Sequence, residues 1–223
     1  MIPRPLKSVY YFALRYPMYL NAWFYKRIRC PSSGLKVHLG PGQENYLLGW
    51  VNLDANFITA KVDLWADICH PLPFQDGSVD IFYANHVIEH LPDTILPTKF
   101  EELFKALRSG GGIRIGVPHL GNACRKYLEK DYGWFSDFPD KKDSIGGRFT
   151  NFIYCRGEHL TALDESYLGE LATNAGFVDI KYCLTSKETN LSDIGIDSDV
   201  LSLESGESDF NYPHTVIIEA RKP

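Results

Sequence analysis

From Lys36 onward the chain alternates short apolar runs with longer polar or helix-spaced segments, and this alternation constrains the fold more than any other feature. The runs "LKVHLG", "GWVNLD", "AKVDLWAD", "SVDIFYAN" and "GGIRIGVP" read as buried strands. Their nearly continuous apolar character is expected of a sheet covered on both faces. Between the fourth and fifth runs, Leu96, Phe100, Leu103, Phe104 and Leu107 fall at helical spacing, and the glycines after Ser109 are expected to stop that helix. "LDESYLGELATNAGF" reads as another helix, with Asp164 as N-cap and Gly176 just past its end. "FVDIKYCL" and "HTVIIEARKP" read as two final strands. The expected fold class is α/β, doubly wound.

With 223 residues, 44% of them hydrophobic, the chain can bury one proper core. A formal charge of −5 argues against a general nucleic-acid binder, whose footprint is basic. The charge is uneven, however: Arg4, Lys7, Arg15, Lys26, Arg27, Arg29 and Lys36 fall in residues 1–36, which contain no acid. The same arm is crowded with aromatics, namely Tyr10, Tyr11, Phe12, Tyr16, Tyr19, Trp23, Phe24 and Tyr25, and Pro17 is expected to break or kink its helix. One reading of residues 1–30 is an amphipathic anchor on an anionic membrane surface. The favoured reading is a helical arm packed on its own domain or on a partner subunit, because aromatic stripes at helical spacing are usually buried contacts.

These features divide the chain into an arm, 1–33, and a domain, 34–223. Within the domain, the strand–helix rhythm lapses over 119–160, which is expected to be a substrate-side insertion such as a lid or wall. The acidic, serine-rich tract 186–212 is expected to be an exposed, mobile loop. Five scattered cysteines with no C-x-x-C fit reduced thiols. No apolar run approaches the ~18–20 residues of a membrane span, and the N-terminus lacks a secretory cleavage pattern. A cytoplasmic location is expected, with residues 1–30 as the one candidate for peripheral membrane contact or self-association.

In "VHLGPGQENYLLGWVNLDAN", a glycine turn joins two strands across only nine residues, Pro41 to Gly49. Parallel neighbours usually need a crossover of about a dozen residues, so at most one helical turn fits between them. Asp54 ends the second strand, where a carboxylate can accept hydrogen bonds from ribose hydroxyls; the plain alternative is a loop or cap acid. Glu44 stands where a third glycine of G-x-G-x-G would fall and would repel a pyrophosphate lying across the turn. A cofactor without phosphate, or one carrying positive charge, meets no such objection. Because the first crossover is so short, something else must cover that sheet face, and the aromatic arm is the expected cover.

The segment "LPFQDGSVDIFYANHVIEHL" resembles class I S-adenosylmethionine-dependent methyltransferases, particularly a branch with an LP-F-x-D-x-S-x-D stretch followed by H-V-x-E-H-L. "LRSGGGIRIGVP" is similar to the family's glycine turn before strand five, and the later "NAGF" to its entry into strand six. A compact sub-branch carries L-G-x-G … G-W-x-N-x-D, matched here by Leu39, Gly40, Gly42, Gly49, Trp50, Asn52 and Asp54. The resemblance spans roughly residues 36–220. It implies a Rossmann-like, mainly parallel seven-stranded sheet with the last strand antiparallel and a shortened first crossover helix. The implied cofactor is S-adenosylmethionine. Leu39, Gly40, Pro41 and Gly42 would pass its methionine part, Asp54 and Ala55 its ribose, and Asp67 and Ile68 its adenine. Asn85 and His86 would face the methyl group and acceptor. His38 departs from the pattern, standing where many relatives carry an acid.

For a hydroxyl acceptor a base near neutral pKa is useful, and His86, His119 and His159 all map near the carboxyl edge of the sheet. Tyr154 and Arg156 fall near the same loop, and Arg156 could hold a phosphate or carboxylate of the acceptor. "HVIEH" also matches the H-x-x-E-H zinc pattern, but Leu91-Pro92 ends any helix at once. It reads instead as helix-entry packing with no metal. The expected activity is methyl transfer to oxygen or nitrogen of a small-molecule or glycan acceptor. The alternatives are an NAD-type sugar-nucleotide modifying enzyme of the same fold and a non-catalytic cofactor-binding scaffold.

Overall fold

The computed structural model describes residues 4–223; residues 1–3, and the side chains of residues 4–8 and Tyr11, lie outside the described residues. Seven strands form one sheet: β1 (Leu35–Leu39), β2 (Val51–Asp54), β3 (Leu64–Trp65), β4 (Val79–Asn85), β5 (Leu107–Pro118), β6 (Val178–Cys183) and β7 (Thr215–Arg221). Their order is β3-β2-β1-β4-β5-β7-β6. The first five pair in parallel, and β7 runs antiparallel to both β5 and β6. Strand order reverses between β1 and β4, where an open α/β sheet leaves a crevice at its carboxyl edge. Five of the six α-helices among the described residues are α1 (Arg4–Phe24), α2 (Leu96–Ala106), α3 (Leu120–Glu129), α4 (Ile145–Tyr154) and α5 (Glu165–Ala175). The sixth, α6 (Ser198–Ser202), is one short turn inside the acidic tract.

One sheet face is covered conventionally. Leu96, Phe100 and Leu103 of α2 and Leu168, Leu171 and Ala172 of α5 pack on Val37, Leu39, Phe82, Ala84, Ile113 and Ile115. The caps hold as expected: Asp164 accepts from the Tyr167 N–H, and Gly176 ends α5 at φ 99°. Helix α2 ends earlier than the glycines require, at Ala106, because Leu107 is already buried and paired with Val79 in the sheet.

The opposite face corrects two expectations. Strand register aligns Asn52, His38, Tyr83, Arg114 and Glu219 in one row across five strands, an unusually polar face for a buried sheet. The aromatic arm does not cover it. Leu191, Ile194, Ile196 and Val200 do, packed with Leu47, Trp50, Ile81 and Tyr83. The tract 186–212, expected to be an exposed mobile loop, thus supplies a core layer. Arg114 anchors it, donating to both carboxylate oxygens of Glu204 at 2.6–2.7 Å, to Glu219 at 2.6 Å and to the Glu188 carbonyl at 2.9 Å.

The short first crossover contains no helix. The fully buried Asn52 side chain holds it instead, accepting from Leu47 N–H at 3.0 Å and donating to the Leu47 and Trp50 carbonyls at 2.8 and 3.1 Å. That pins Leu47 and Trp50 against the sheet. The buried ring of His38 sits beside Asn52 and Tyr83, and burial pushes its pKa down to about 4.

Helix α1 runs through Pro17 without ending. Ala13, whose carbonyl loses its partner there, is exposed, so water can satisfy it. The arm packs at the β3 edge: Met18 and Ala22 are buried, Asn21 donates to the Trp65 carbonyl at 2.8 Å, and Tyr25 meets Phe74 edge-on. The 119–160 segment is not a bare loop. Helices α3 and α4 enclose a small third core around Ala123, Trp134, Phe135 and Ile153.

Candidate functional site

A cavity of about 620 Å³ opens at the carboxyl ends of β1, β2 and β4, a size that suits a nucleoside-sized ligand. Gly40 forms its floor at φ +64°, and a Cβ there would lie 2.6 Å from Val87 Cγ2, so only glycine lets the two segments meet. At the tip of β2, Asp54 accepts from Asn56 N–H at 2.8 Å and from Gly42 N–H at 3.3 Å, while its carboxylate borders the cavity. Burial raises the Asp54 pKa, and those two N–H groups offset part of the rise. Ala55 lies beside it, its carbonyl held by Trp65 Nε1 at 2.9 Å and by the Tyr10 hydroxyl of the arm at 3.1 Å. The arm thereby buttresses this wall from behind.

Asp67 and Ile68 form the next part of the wall, with Asp67 Oδ1 accepting from Cys69 N–H at 2.8 Å. Burial, then the Asp67 charge, pushes the Cys69 thiol up to about 12, so it stays protonated. The far wall comes from the turn after β4. His86 sits there at φ 56°, in the left-handed region, with Nε2 3.0 Å from Thr215 Oγ1 and Nδ1 3.4 Å from Glu89 Oε1.

The structure therefore gathers Gly40, Asp54, Ala55, Asp67, Ile68 and His86 around one cavity. Leu39 and Pro41 are buried beside it, and Gly42 acts through its N–H on Asp54. Asn85 is not part of the wall. It lies on the Tyr83 side of β4, with Oδ1 over Gly116, where a Cβ would approach to 2.3 Å. His119 is also not brought to the cavity. It caps α3 by accepting from Asn122 N–H, and its Nε2 lies 3.1 Å from Glu165. Burial lowers its pKa against the pull of Glu165.

His159 lies just behind the wall, its ring 4.9 Å from that of His90, and burial lowers its pKa. Arg156 turns away to Asp140, donating to Oδ2 at 2.7 Å. Sequence reasoning missed Cys69, His90, Gly157, Glu158 and Leu160 as wall residues. The last three belong to the loop before α5, which tertiary hydrogen bonds tie to the far wall: Leu160 and Thr161 N–H both donate to the Glu89 carbonyl, at 2.8 and 3.1 Å.

A family model described as a methyltransferase domain matches residues 51–115. The match begins at β2, just beyond the shortened crossover. Phosphoethanolamine N-methyltransferase 2 of Haemonchus contortus, solved with S-adenosyl-L-methionine, superposes at a TM-score of 0.52 with 17% identity over 92% of this chain and 52% of that one. This chain spans about half the length of that enzyme. A SAM-dependent methyltransferase from Thermotoga maritima, described as a possible histamine N-methyltransferase, gives a TM-score of 0.52 and 15% identity over 99% of this chain and 96% of that one. A SAM-dependent methyltransferase from Archaeoglobus fulgidus gives a TM-score of 0.52 and 15% identity over 96% and 100%. At such identities these structures share the fold. No curated protein matches the chain.

Proposed function

We propose that this chain is a class I S-adenosylmethionine-dependent methyltransferase, and that the cavity at the β1–β4 switch point holds the cofactor and presents its methyl group to a small-molecule or glycan acceptor. One observation carries this reading: a glycine that admits no Cβ and a half-buried carboxylate, Asp54, stand on neighbouring strand ends and line one cavity of about 620 Å³. S-adenosylmethionine supplies an electrophilic methyl on a sulfonium, so the acceptor's lone pair bonds the carbon while the carbon–sulfur pair stays on sulfur.

The chain's own residues bind and align. Gly40 lets the backbone pass close to the methionine part. Asp54 accepts from the ribose hydroxyls, its oxygens already oriented by the Asn56 and Gly42 N–H groups. Asp67 and Ile68 border the adenine. The leaving group is already good, so alignment is the main contribution of the protein. His86 is the proton acceptor for a hydroxyl acceptor, with Thr215 Oγ1 holding its ring at Nε2. His119 serves the fold as a cap, and His159 supports the wall. The acceptor atom in this reading is oxygen or nitrogen.

Calorimetry of the full chain with S-adenosylhomocysteine and, separately, with NAD tests this reading. Binding of the first alone supports it. Binding of NAD instead would make the chain an oxidoreductase-type relative. A folded protein that binds neither is the scaffold.

The finer reading of the arm is a separate proposal. Phe12, Tyr16, Leu20 and Trp23 lie on the solvent side of α1, with Phe12 83% exposed. With Arg15, Lys26, Arg27 and Arg29 nearby, this stripe suits an anionic lipid surface. Among the described residues no helix is long and apolar enough to cross a membrane. Sedimentation with anionic vesicles, lost on Phe12→Ser with Trp23→Ser, supports surface contact; a full-length chain that never sediments removes it.

A further inference from the structure

Glu89 sits at the first turn after β4 with 1% of its surface exposed, yet neither carboxylate oxygen accepts a hydrogen bond among the described residues. An unsatisfied buried carboxylate is costly and calls for a cation or a ligand. What surrounds it is imidazole. Oε1 lies 3.4 Å from His86 Nδ1 and 3.9 Å from His159 Nε2. One carboxylate oxygen of Glu89 and one ring nitrogen from each of His90 and His159 fall within 4.8 Å of one another.

In each of these two rings Nδ1 is occupied. His90 Nδ1 is 2.9 Å from the Glu158 carbonyl, and His159 Nδ1 is 2.9 Å from the Ile153 carbonyl. A carbonyl can only accept, so each Nδ1 carries the proton and donates it. That fixes the tautomer with a bare lone pair on Nε2. Outer carbonyls that orient histidines in this way are the usual support of metal ligands. The backbone supports the same geometry, because the Leu160 and Thr161 N–H groups clip the His159 loop onto the Glu89 carbonyl.

We propose that Glu89, His90 and His159 bind a first-row divalent metal ion with an open coordination position beside the cofactor cavity. Two imidazoles and one carboxylate match the donor set of open zinc and related transition-metal sites, and nitrogen donors disfavour magnesium. His90 and Glu158 line the cavity, so the open position adjoins it. The acceptor class is then a molecule with an ionisable hydroxyl, whose oxygen the metal polarises and whose proton passes to His86. This substrate assignment rests on the methyltransferase reading; the metal site itself does not.

The test uses the full-length chain stripped with a chelator. Co²⁺ titration is followed by visible absorption, and Zn²⁺ by calorimetry, both without cofactor. Binding of S-adenosylhomocysteine is measured on the same sample. The expected result is one Co²⁺ per chain with ligand-field bands that Zn²⁺ abolishes. Glu89→Gln and His90→Gln should each weaken binding by more than the ~10–100-fold that loss of an outer partner costs. His90 is exposed, so its variant keeps the fold even if that of Glu89 does not. Absence of stoichiometric Co²⁺ binding, or binding unchanged in His90→Gln, overturns the proposal. Metal binding without S-adenosylhomocysteine binding would leave the metal site standing and sink the cofactor assignment.

Discussion

The guanidinium of Arg114 and the carboxylate of Glu204 face each other in a two-pronged pair, at 2.7 and 2.6 Å, with both side chains fully removed from solvent. Ninety residues separate them in sequence. The pair joins the middle of the sheet to the tract that replaces the missing crossover helix. Breaking a buried pair from one side leaves an uncompensated charge, so Glu204→Ala should cost about 3–5 kcal/mol in urea unfolding. Ile196→Ala, at a fully buried site with no charge involved, should cost about 2–5 kcal/mol. A mobile surface loop would give values near zero for both.

That pair also shows where the sequence was legible and where it was not. Strand runs, the helix spacings of α2 and α5, and the Asp164 and Gly176 caps are local signals, and the structure keeps them. The 186–212 tract misled because serines and acids diluted Leu191, Ile194, Ile196 and Val200, whose spacing matches neither helix nor strand. Its signal lay elsewhere, in the arginine at the centre of "GGIRIGVP". A buried strand arginine demands carboxylate partners, and Glu204 and Glu219 are those partners. Likewise Asp54 and Gly40 were legible from a local turn. The Glu158–Leu160 wall was not, because hydrogen bonds to Glu89 bring it there from far along the chain.

The two glycines of the first turn should separate cleanly. Both have positive φ, +64° at Gly40 and +60° at Gly42, so alanine at either costs roughly 1–2 kcal/mol through the backbone. At Gly42 a Cβ meets nothing, whereas at Gly40 it collides with Val87. Gly40→Ala should therefore be the less stable variant by denaturant titration and should also lose S-adenosylhomocysteine binding. Equal effects at both positions would show that the Val87 contact is unimportant.

His214 should make stability depend on pH. Its ring stacks on Trp134 with centroids 4.2 Å apart, and its Nδ1 lies 2.8 Å from Glu207 Oε1. Burial opposes its charge, but the Glu207 carboxylate and the Trp134 carbonyl prevail and raise its pKa above 6.5. The stabilisation is therefore fully present below pH 6.5 and is lost as pH rises through the folded-state value. Glu207, lowered from 4.5 by its bonds to His214 and the Asp209 N–H despite burial, loses its contribution as pH falls through its own folded value. His214→Asn should flatten the decline on the alkaline side in melting curves taken from pH 5 to 8. An unaltered pH profile would remove the pair from this role.

Asp54 should show a trade between fold and ligand. Its pKa is raised, chiefly by burial, so ionisation at neutral pH works against the folded state; that stabilisation is present at low pH and lost as pH rises through the folded value. Asp54→Asn should then melt no lower than the parent at pH 7 without ligand, while binding S-adenosylhomocysteine more weakly. A clear drop in melting temperature would mean that the carboxylate serves the turn, as a cap does.

In the proposed site the Gly40–Asp54 edge holds the ribose and methionine parts of S-adenosylmethionine. Calorimetry of S-adenosylhomocysteine with the parent chain and with Asp54→Ala tests it most directly. The expected result is one site per chain, weakened by about 1.5–3 kcal/mol in the variant, the range for hydrogen bonds to a charged group. A folded parent that does not bind, or a variant that binds equally well, would contradict it.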